Sequence, residues 1–397
     1  MRNSVAVFTA KSYFIIIAMG KKNGYSLAML LLLLLVKGSA MAQAILNDKQ
    51  ATPQTTLLFH NMQKLLKKGY MFGHQDDLAY GVGWKYEAGR SDVKDVAGDY
   101  PGLYGFELGR LELGQAVNLD GVPFDSMRQY IKDIYKRGGV TTLSWHFNNP
   151  LTGKTAWDAP PSGTVAAILD SPATHQVYTQ WLDKGADFLA SLKGANGEPI
   201  PIIFRIFHEL NGSWFWWGGK NCTPYELKRL YQFTETYLRD VKHLHNLIYA
   251  FNTDRFSGQD EYLERYPGND YVDIVGFDIY QRKGGDDGNQ QFIQELDRSL
   301  TTLVGIAQQN NKLAALTEFG YSGLPDSSWW TNVFAKGIGN HKISYVMGWR
   351  NAGIKDEQHY EYYVPYKGQL SANDFVLFSQ LPQTLFQKEV TKAHLFR

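Results

Sequence analysis

Residues 204–219 read FRIFHELNGSWFWWGG, and two features of the stretch conflict unless it belongs to one particular kind of fold. An apolar run from Ile202 to Phe207 ends abruptly in His208 and Glu209. Asn211 and three tryptophans, Trp214, Trp216 and Trp217, follow among glycines. A buried segment should not finish on an ionisable pair, because an unpaired charge is costly out of water. A surface loop should not carry three indoles. A buried parallel strand that delivers polar groups from its C-terminal end resolves both difficulties.

The rest of the chain repeats that plan. Short apolar, β-branched or aromatic runs alternate with longer segments of helical period. The predicted strands are Tyr70–Gly73, Leu103–Leu108, Val140–His146, Ile200–Phe207, Leu247–Phe251, Val272–Ile279, Leu313–Thr317 and Ser344–Trp349. Between them lie helical patterns such as DSMRQYIKDIYKRGG and THQVYTQWLDKGADFLASL, with a weaker one near 86–98. Thr223, Pro224 and Glu226 predict a helix start with an N-cap, a first-turn proline and a capping-box glutamate. Eight strand–helix units predict an α/β fold closing as a (β/α)8 TIM barrel, with the active site at the C-terminal ends of the strands. The competing architecture is an open doubly wound sheet. It would want a glycine-rich phosphate loop after the first strand, where GHQDDLAYGVG stands instead and is too acidic for that role.

Composition narrows the function. Residues 1–42 have the charged, apolar, small-residue order of an export signal: Lys21 and Lys22, a run from Leu27 to Val36, then Ser39-Ala40-Met41-Ala42. That run is too short to span a bilayer, which takes about 20 residues. Met19 is an alternative start. The mature chain is then a single catalytic barrel domain over residues 43–397, periplasmic or secreted, and a monomer is expected. Five basic and no acidic residues lie in 1–42, which leaves 35 Lys+Arg against 39 Asp+Glu and a net charge of −4. That balance offers nucleic acid no basic surface. Cys222 is the only cysteine, so stability rests on a core rather than on disulfides.

The predicted strand ends read GHQDD, ELGR, WHFNNP, HELNGSW, FNTD, FDIYQ, TEFGYSG and GWRN, all polar or aromatic. Two glutamates follow directly on apolar strands, Glu209 on the fourth and Glu318 on the seventh. Strands four and seven lie across a barrel mouth, so the two carboxyl groups can flank one linkage, as glycoside hydrolysis with retention requires. Apolar neighbours around Glu209 favour the protonated acid, and Tyr280 is placed to steady an ionised Glu318. Glu107 and Glu112 are rival carboxylates, with Arg110 a local ion-pair partner for Glu107. Asp76 and Asp77 are expected to meet sugar hydroxyls or cap a helix, and Asp278 to act one step removed from the substrate. HELNG begins like the zinc-protease motif, but Gly212 stands where its second histidine belongs, so the motif fails. His74, His146 and His208 all fall on strand ends, and hydrogen bonding to sugar suits them better than a shared ion. No metal and no cofactor are expected. Trp181, Trp329 and Trp330 fall in helical segments and read as packing. Two or three of Trp157, Trp214, Trp216, Trp217 and Trp349 are expected to contact sugar.

These motifs together resemble glycoside hydrolase family 26, a (β/α)8 family dominated by β-mannanases. The resemblance rests on GHQDDLAYGVGW, WHFNNP, RIFHELNGSWFWWG, GFDIY, LTEFG and GWRN, and runs from about residue 56 to about 380. It implies Glu209 as acid/base and Glu318 as nucleophile, and a retaining β-1,4-mannanase acting on mannan, glucomannan or galactomannan. It also implies that His208 contacts the 2-hydroxyl region of the −1 sugar and that Tyr280 steadies the nucleophile. His146, Trp214 and Trp349 would shape the −1 subsite, Trp157 the leaving-group side, and Arg350 and Asn351 the minus subsites. A related β-glycanase acting on mixed-linkage β-glucan or β-1,3-xylan, and a non-catalytic polysaccharide binder, are the alternatives.

Overall fold

The computed structural model describes residues 44–159, 163–356 and 359–397. The predicted export signal lies outside the described residues. Eight parallel strands form the barrel: β1 (Tyr70–Gln75), β2 (Leu103–Glu107), β3 (Val140–Ser144), β4 (Ile202–Arg205), β5 (Leu247–Thr253), β6 (Ile274–Gln281), β7 (Leu313–Tyr321) and β8 (Tyr345–Gly348). Each pairs with the next, and β8 pairs back onto β1 from Met71↔Tyr345 to His74↔Gly348, which closes the cylinder. Among the described residues, no helix is long and apolar enough to cross a membrane.

Strand alternation sorts the side chains into two cores. Met71, Leu103, Val140, Ile203, Ile248, Ala250, Ile274, Ala315 and Met347 face the bore. There they pack against Leu58, Phe59 and Met62 of α1 (Pro53–Leu65), whose start Thr52 caps by accepting from Thr55 N. Helix α1 therefore seals the foot of the barrel. The alternate residues, among them Phe72, Phe106, Leu143, Phe204, Phe251, Phe277 and Leu316, face the surrounding helices. Trp329 and Trp330 are fully buried in that outer core, as their helical setting predicts.

Most predicted elements form. The capping box at Thr223 and Glu226 opens the helix Pro224–Thr236. The weak pattern near 86–98 shortens to Asp92–Ala97, capped by Ser91 and stopped by Gly98 in the left-handed region. Several strand ends move. β1, β6 and β7 run further than predicted, and β4 stops at Arg205 rather than Phe207. In β7 the alternation breaks once. Leu316 pairs with Phe277 and Val346, but Glu318 pairs with Asp278 and Phe319 with Gly348, so Thr317 is an extra residue against both neighbours. This bulge turns Glu318 to the inward face it would otherwise miss, and sends Phe319 out against Phe334. Gly276 makes room, since a Cβ there would lie 2.4 Å from the Thr317 methyl.

Candidate active site

At the mouth of the bore the inward side chains change from apolar to charged. β4 ends in Arg205, fully buried, whose Nη1 donates to Asp278 Oδ2 at 2.9 Å and Nη2 to Glu318 Oε2 at 2.8 Å. Asp278 also accepts from Asn252 Nδ2 and Thr317 Oγ1, each at 2.8 Å. Tyr280 donates its hydroxyl to the other oxygen of Glu318. Glu318 is thus held by a guanidinium on one oxygen and a phenol on the other. One carboxylate oxygen each of Glu209, Asp278 and Glu318 lies within 4.8 Å of the others. Between Asp278 and Glu318, the place a cation would take is filled by Arg205.

Glu209 reaches this cluster through a turn rather than a strand end. After Arg205 the chain folds over itself with Phe207 at φ 51° and Glu209 at φ 52°, both in the left-handed region that side chains disfavour. Gly212 N donates to Glu209 O at 2.9 Å, and Trp217 Nε1 donates to His208 O at 3.0 Å, which fixes the turn from the following loop. Gly212 is required there: a Cβ would sit 2.2 Å from the Trp214 ring. That close approach lets Trp214 fold back and donate Nε1 to Glu209 Oε2 at 2.6 Å. Burial, the charge of Glu318 and that of Asp254 push the Glu209 carboxyl up to about 8. The arrangement therefore pairs a carboxyl that keeps its proton at neutral pH with one that accepts from a guanidinium and a phenol.

Two histidines line the adjoining wall. His146 Nε2 lies 3.0 Å from His208 Nε2, and His146 Nδ1 lies 2.8 Å from Glu107 Oε2. Trp157 stacks parallel on the His146 ring, with centroids 5.2 Å apart, and remains 48% exposed. It stands at the open edge of the mouth, as Trp214 does at 40% exposure.

The family model for glycosyl hydrolase family 26 matches residues 47–351. The chain belongs to glycosyl hydrolase family 26. A family 26 β-mannanase from Bacteroides ovatus superimposes with a TM-score of 0.82 at 44% identity, covering 87% of this chain and 98% of that one. The catalytic domain of a family 26 endo-β-1,4-mannanase from Bacillus sp. JAMB-750 gives 0.81 at 31% identity, covering 90% and 98%. A mannan endo-1,4-β-mannosidase of Bifidobacterium adolescentis is 31% identical over 358 residues, which are 86% of this chain but 35% of that protein. The chain likewise spans 52% of the mannan endo-1,4-β-mannosidase of Bacillus subtilis strain 168, at 30% identity over the matched part.

Within this family 26 barrel the residues singled out from sequence separate into two groups. Glu209, Glu318, Tyr280, His146, His208, Trp157 and Trp214 converge on one mouth. Trp349, half-buried, continues the inward parity of Tyr345 and Met347, with its N–H on Phe319 O at 3.0 Å. Arg350 is at the same rim and pairs with Asp120 at 2.6 Å.

The others have different work. His74 sits on the outward face of β1, fully buried, with Nδ1 on Asp77 at 2.8 Å, so it meets neither the other histidines nor the bore. Asn351 is fully buried too. Its amide bonds Asp92, Val364 O and the Tyr363 and Val364 N–H groups, which makes it an anchor for the loop after β8 rather than a sugar ligand. Asp76 accepts from Tyr80 and, like Asp77, folds the loop after β1 onto itself. Trp216 and Trp217 are buried beneath the loop they close. Glu112 braces the loop after β3 by accepting from Trp145 Nε1 and Asn148 N, each at 2.9 Å. Glu107 turns from the predicted partner Arg110 to His146, because its parity on β2 faces the bore.

Sequence reasoning missed Arg205. Its signal was present, since a lone cation inside an apolar strand needs a buried anion opposite.

Proposed function

We propose that this protein is a retaining β-1,4-mannanase in which Glu318 attacks the anomeric carbon and Glu209 supplies the proton. The observation that carries the reading is the close approach of those two carboxyl groups across the mouth, within 4.8 Å, with unlike surroundings. Retaining glycosidases hold their pair about 5–5.5 Å apart, whereas inverting ones leave room for water at about 6.5–9.5 Å. In the first step a Glu318 oxygen bonds to C1, the glycosidic C–O bond breaks, and the Glu209 proton passes to the departing oxygen. Trp214 occupies Glu209 Oε2, so that proton rides on Oε1. Esterification removes the charge of Glu318, one of the two anions that keep Glu209 protonated. The Glu209 carboxylate is then free to take a proton from the water that attacks C1 and releases Glu318.

The choice of mannan is supported by the family 26 relatives, which are named as mannan endo-1,4-β-mannosidases and β-mannanases. His208, His146, Trp214 and Trp349 would enclose the −1 sugar, Trp157 would offer a platform for the leaving group, and Arg350 would serve the minus side. The sequence of residues 1–42 supports export, which N-terminal sequencing of the mature protein checks. The deciding experiment compares hydrolysis of mannan, lichenan and β-1,3-xylan, with a product time course from mannohexaose. Mannan is expected to be cleaved fastest, with products that keep the β configuration. Preference for either other glycan, or inversion at C1, would overturn the proposal.

A further inference from the structure

Glu107 is a fully buried carboxylate in the bore that the reaction described above does not use. It accepts four hydrogen bonds. Gly109 N and His146 N reach Oε1 at 2.6 Å each, Ser144 Oγ reaches Oε2 at 2.6 Å, and His146 Nδ1 reaches Oε2 at 2.8 Å. Burial raises the Glu107 carboxyl, but the His146 ring, Ser144 and the His146 backbone N–H outweigh it and hold the carboxyl down to about 2, so it is the anion. His146 Nδ1 therefore carries a hydrogen. Its Nε2 lies 3.0 Å from His208 Nε2, a distance at which two ring nitrogens share one hydrogen. If His146 supplies that hydrogen, it is a cation and neutralises Glu107. If His208 supplies it, Glu107 is left as a buried anion with no counter-ion among its four donors, which is the costlier arrangement. The parallel Trp157 ring at 5.2 Å presents a π face to the same imidazole, and a cation is favoured there as well.

We propose that Glu107 anchors a proton-sharing chain, Glu107–His146–His208, that keeps His146 an imidazolium in the resting site and makes Glu107 a positioning residue for Glu318. The inference rests on the reading of Glu318 as nucleophile. The groups facing His146 come from four directions. Glu107 on β2, Asp120 in the following loop and Glu318 on β7 favour the cation. His208 feels His146 and Arg205, both of which oppose a second positive charge. Burial pulls both rings toward neutrality. Glu107 outweighs it at His146, whereas nothing does at His208, which is driven well below the ordinary histidine value. His208 is thus fixed with its hydrogen on Nδ1 and an accepting Nε2. The site gains a positive charge that faces Glu318 without touching it.

The test is side-chain NMR of the full chain labelled with 15N-histidine, with resonances assigned through His146→Gln and His208→Gln. In the wild type, His146 should keep its imidazolium resonances above the ordinary histidine titration at about pH 6.5, while His208 stays neutral there. Glu107→Gln should lower the titration of His146, because burial then acts without the anion that opposes it. A wild-type His146 that is neutral at pH 7, or a folded Glu107→Gln enzyme in which His146 titrates as in the wild type, would overturn the proposal. If Glu107→Gln does not fold, the wild-type titration decides alone. Failure to cleave mannan would undermine the reading of the reaction and leave the histidine titration intact, so the two failures are distinguishable.

Discussion

At its foot the barrel is filled by Met71, Ile203, Ile248, Ala250, Ala315 and Met347 and sealed by α1, while at its mouth the same strands present Glu107, Arg205, Asp278, Tyr280 and Glu318. Only a few residues separate the two layers along each strand. The lower layer gains stability from apolar burial with no polar group to satisfy. The upper layer takes several ionised groups out of water and recovers the cost through paired groups, among them Arg205 and Tyr280 on Glu318 and His146 on Glu107. The difference teaches that one sheet can separate holding the fold from doing the chemistry, because successive inward positions on a strand reach different depths.

Substitutions that respect or violate that division sharpen the comparison. The largest effect should come from Glu318→Gln, which leaves the foot intact and should lower kcat on mannan by roughly four powers of ten or more. Circular dichroism and thermal unfolding should stay near wild type. Glu209→Gln should cost about 10²–10⁴-fold on mannan. Much less should be lost on a substrate whose leaving group departs without a proton, and equal losses on both would remove Glu209 from the acid role.

The same variant tests the electrostatics. A carboxyl raised to about 8 in the fold, against about 4.5 unfolded, holds a proton that the unfolded chain has released between those values. Wild-type stability therefore falls as pH rises through that window. Glu209→Gln should gain thermal stability relative to wild type from pH 5 to pH 8 and no further above it, and a pH-independent difference would refute the raised carboxyl. Activity should likewise fade above about pH 8 as Glu209 loses its proton.

At the foot the sign reverses. Ile203→Ala should destabilise by roughly 2–5 kcal/mol through the cavity it leaves, with kcat unchanged below the melting transition. A matching loss of kcat would break the division between the layers. The smallest effect is expected at the exposed edge, where Trp157→Ala should raise KM several-fold with little change in stability, since an aromatic contact contributes about 0.5–1.5 kcal/mol.

Much of this was legible in the sequence. Strand count, the closed parallel barrel, the rim and the Glu209–Glu318 pair all follow from apolar runs that end in polar residues. The errors share one cause. His74, Glu107 and Asn351 each sit at a strand end, and a strand end specifies height in the barrel but not which way a side chain faces. Parity sends His74 outward and Glu107 inward. Asn351 is consumed by a loop whose return path no local pattern reports.

The sequence by itself determined which residues are buried strands, where each turns polar, and which two glutamates follow the apolar runs of the fourth and seventh strands, because apolar periodicity is a local property of the chain. Only the tertiary structure decided how those groups point. The extra residue at Thr317 brings Glu318 into the bore, and the left-handed turn through Phe207 and Glu209 aims the acid across it. The bulge depends on partners far away in the chain, Gly276 and Asp278, and the turn on the loop that follows it, through Trp214 and Trp217. A bulge or a left-handed residue is unfavourable on its own and persists only where packing from elsewhere holds it.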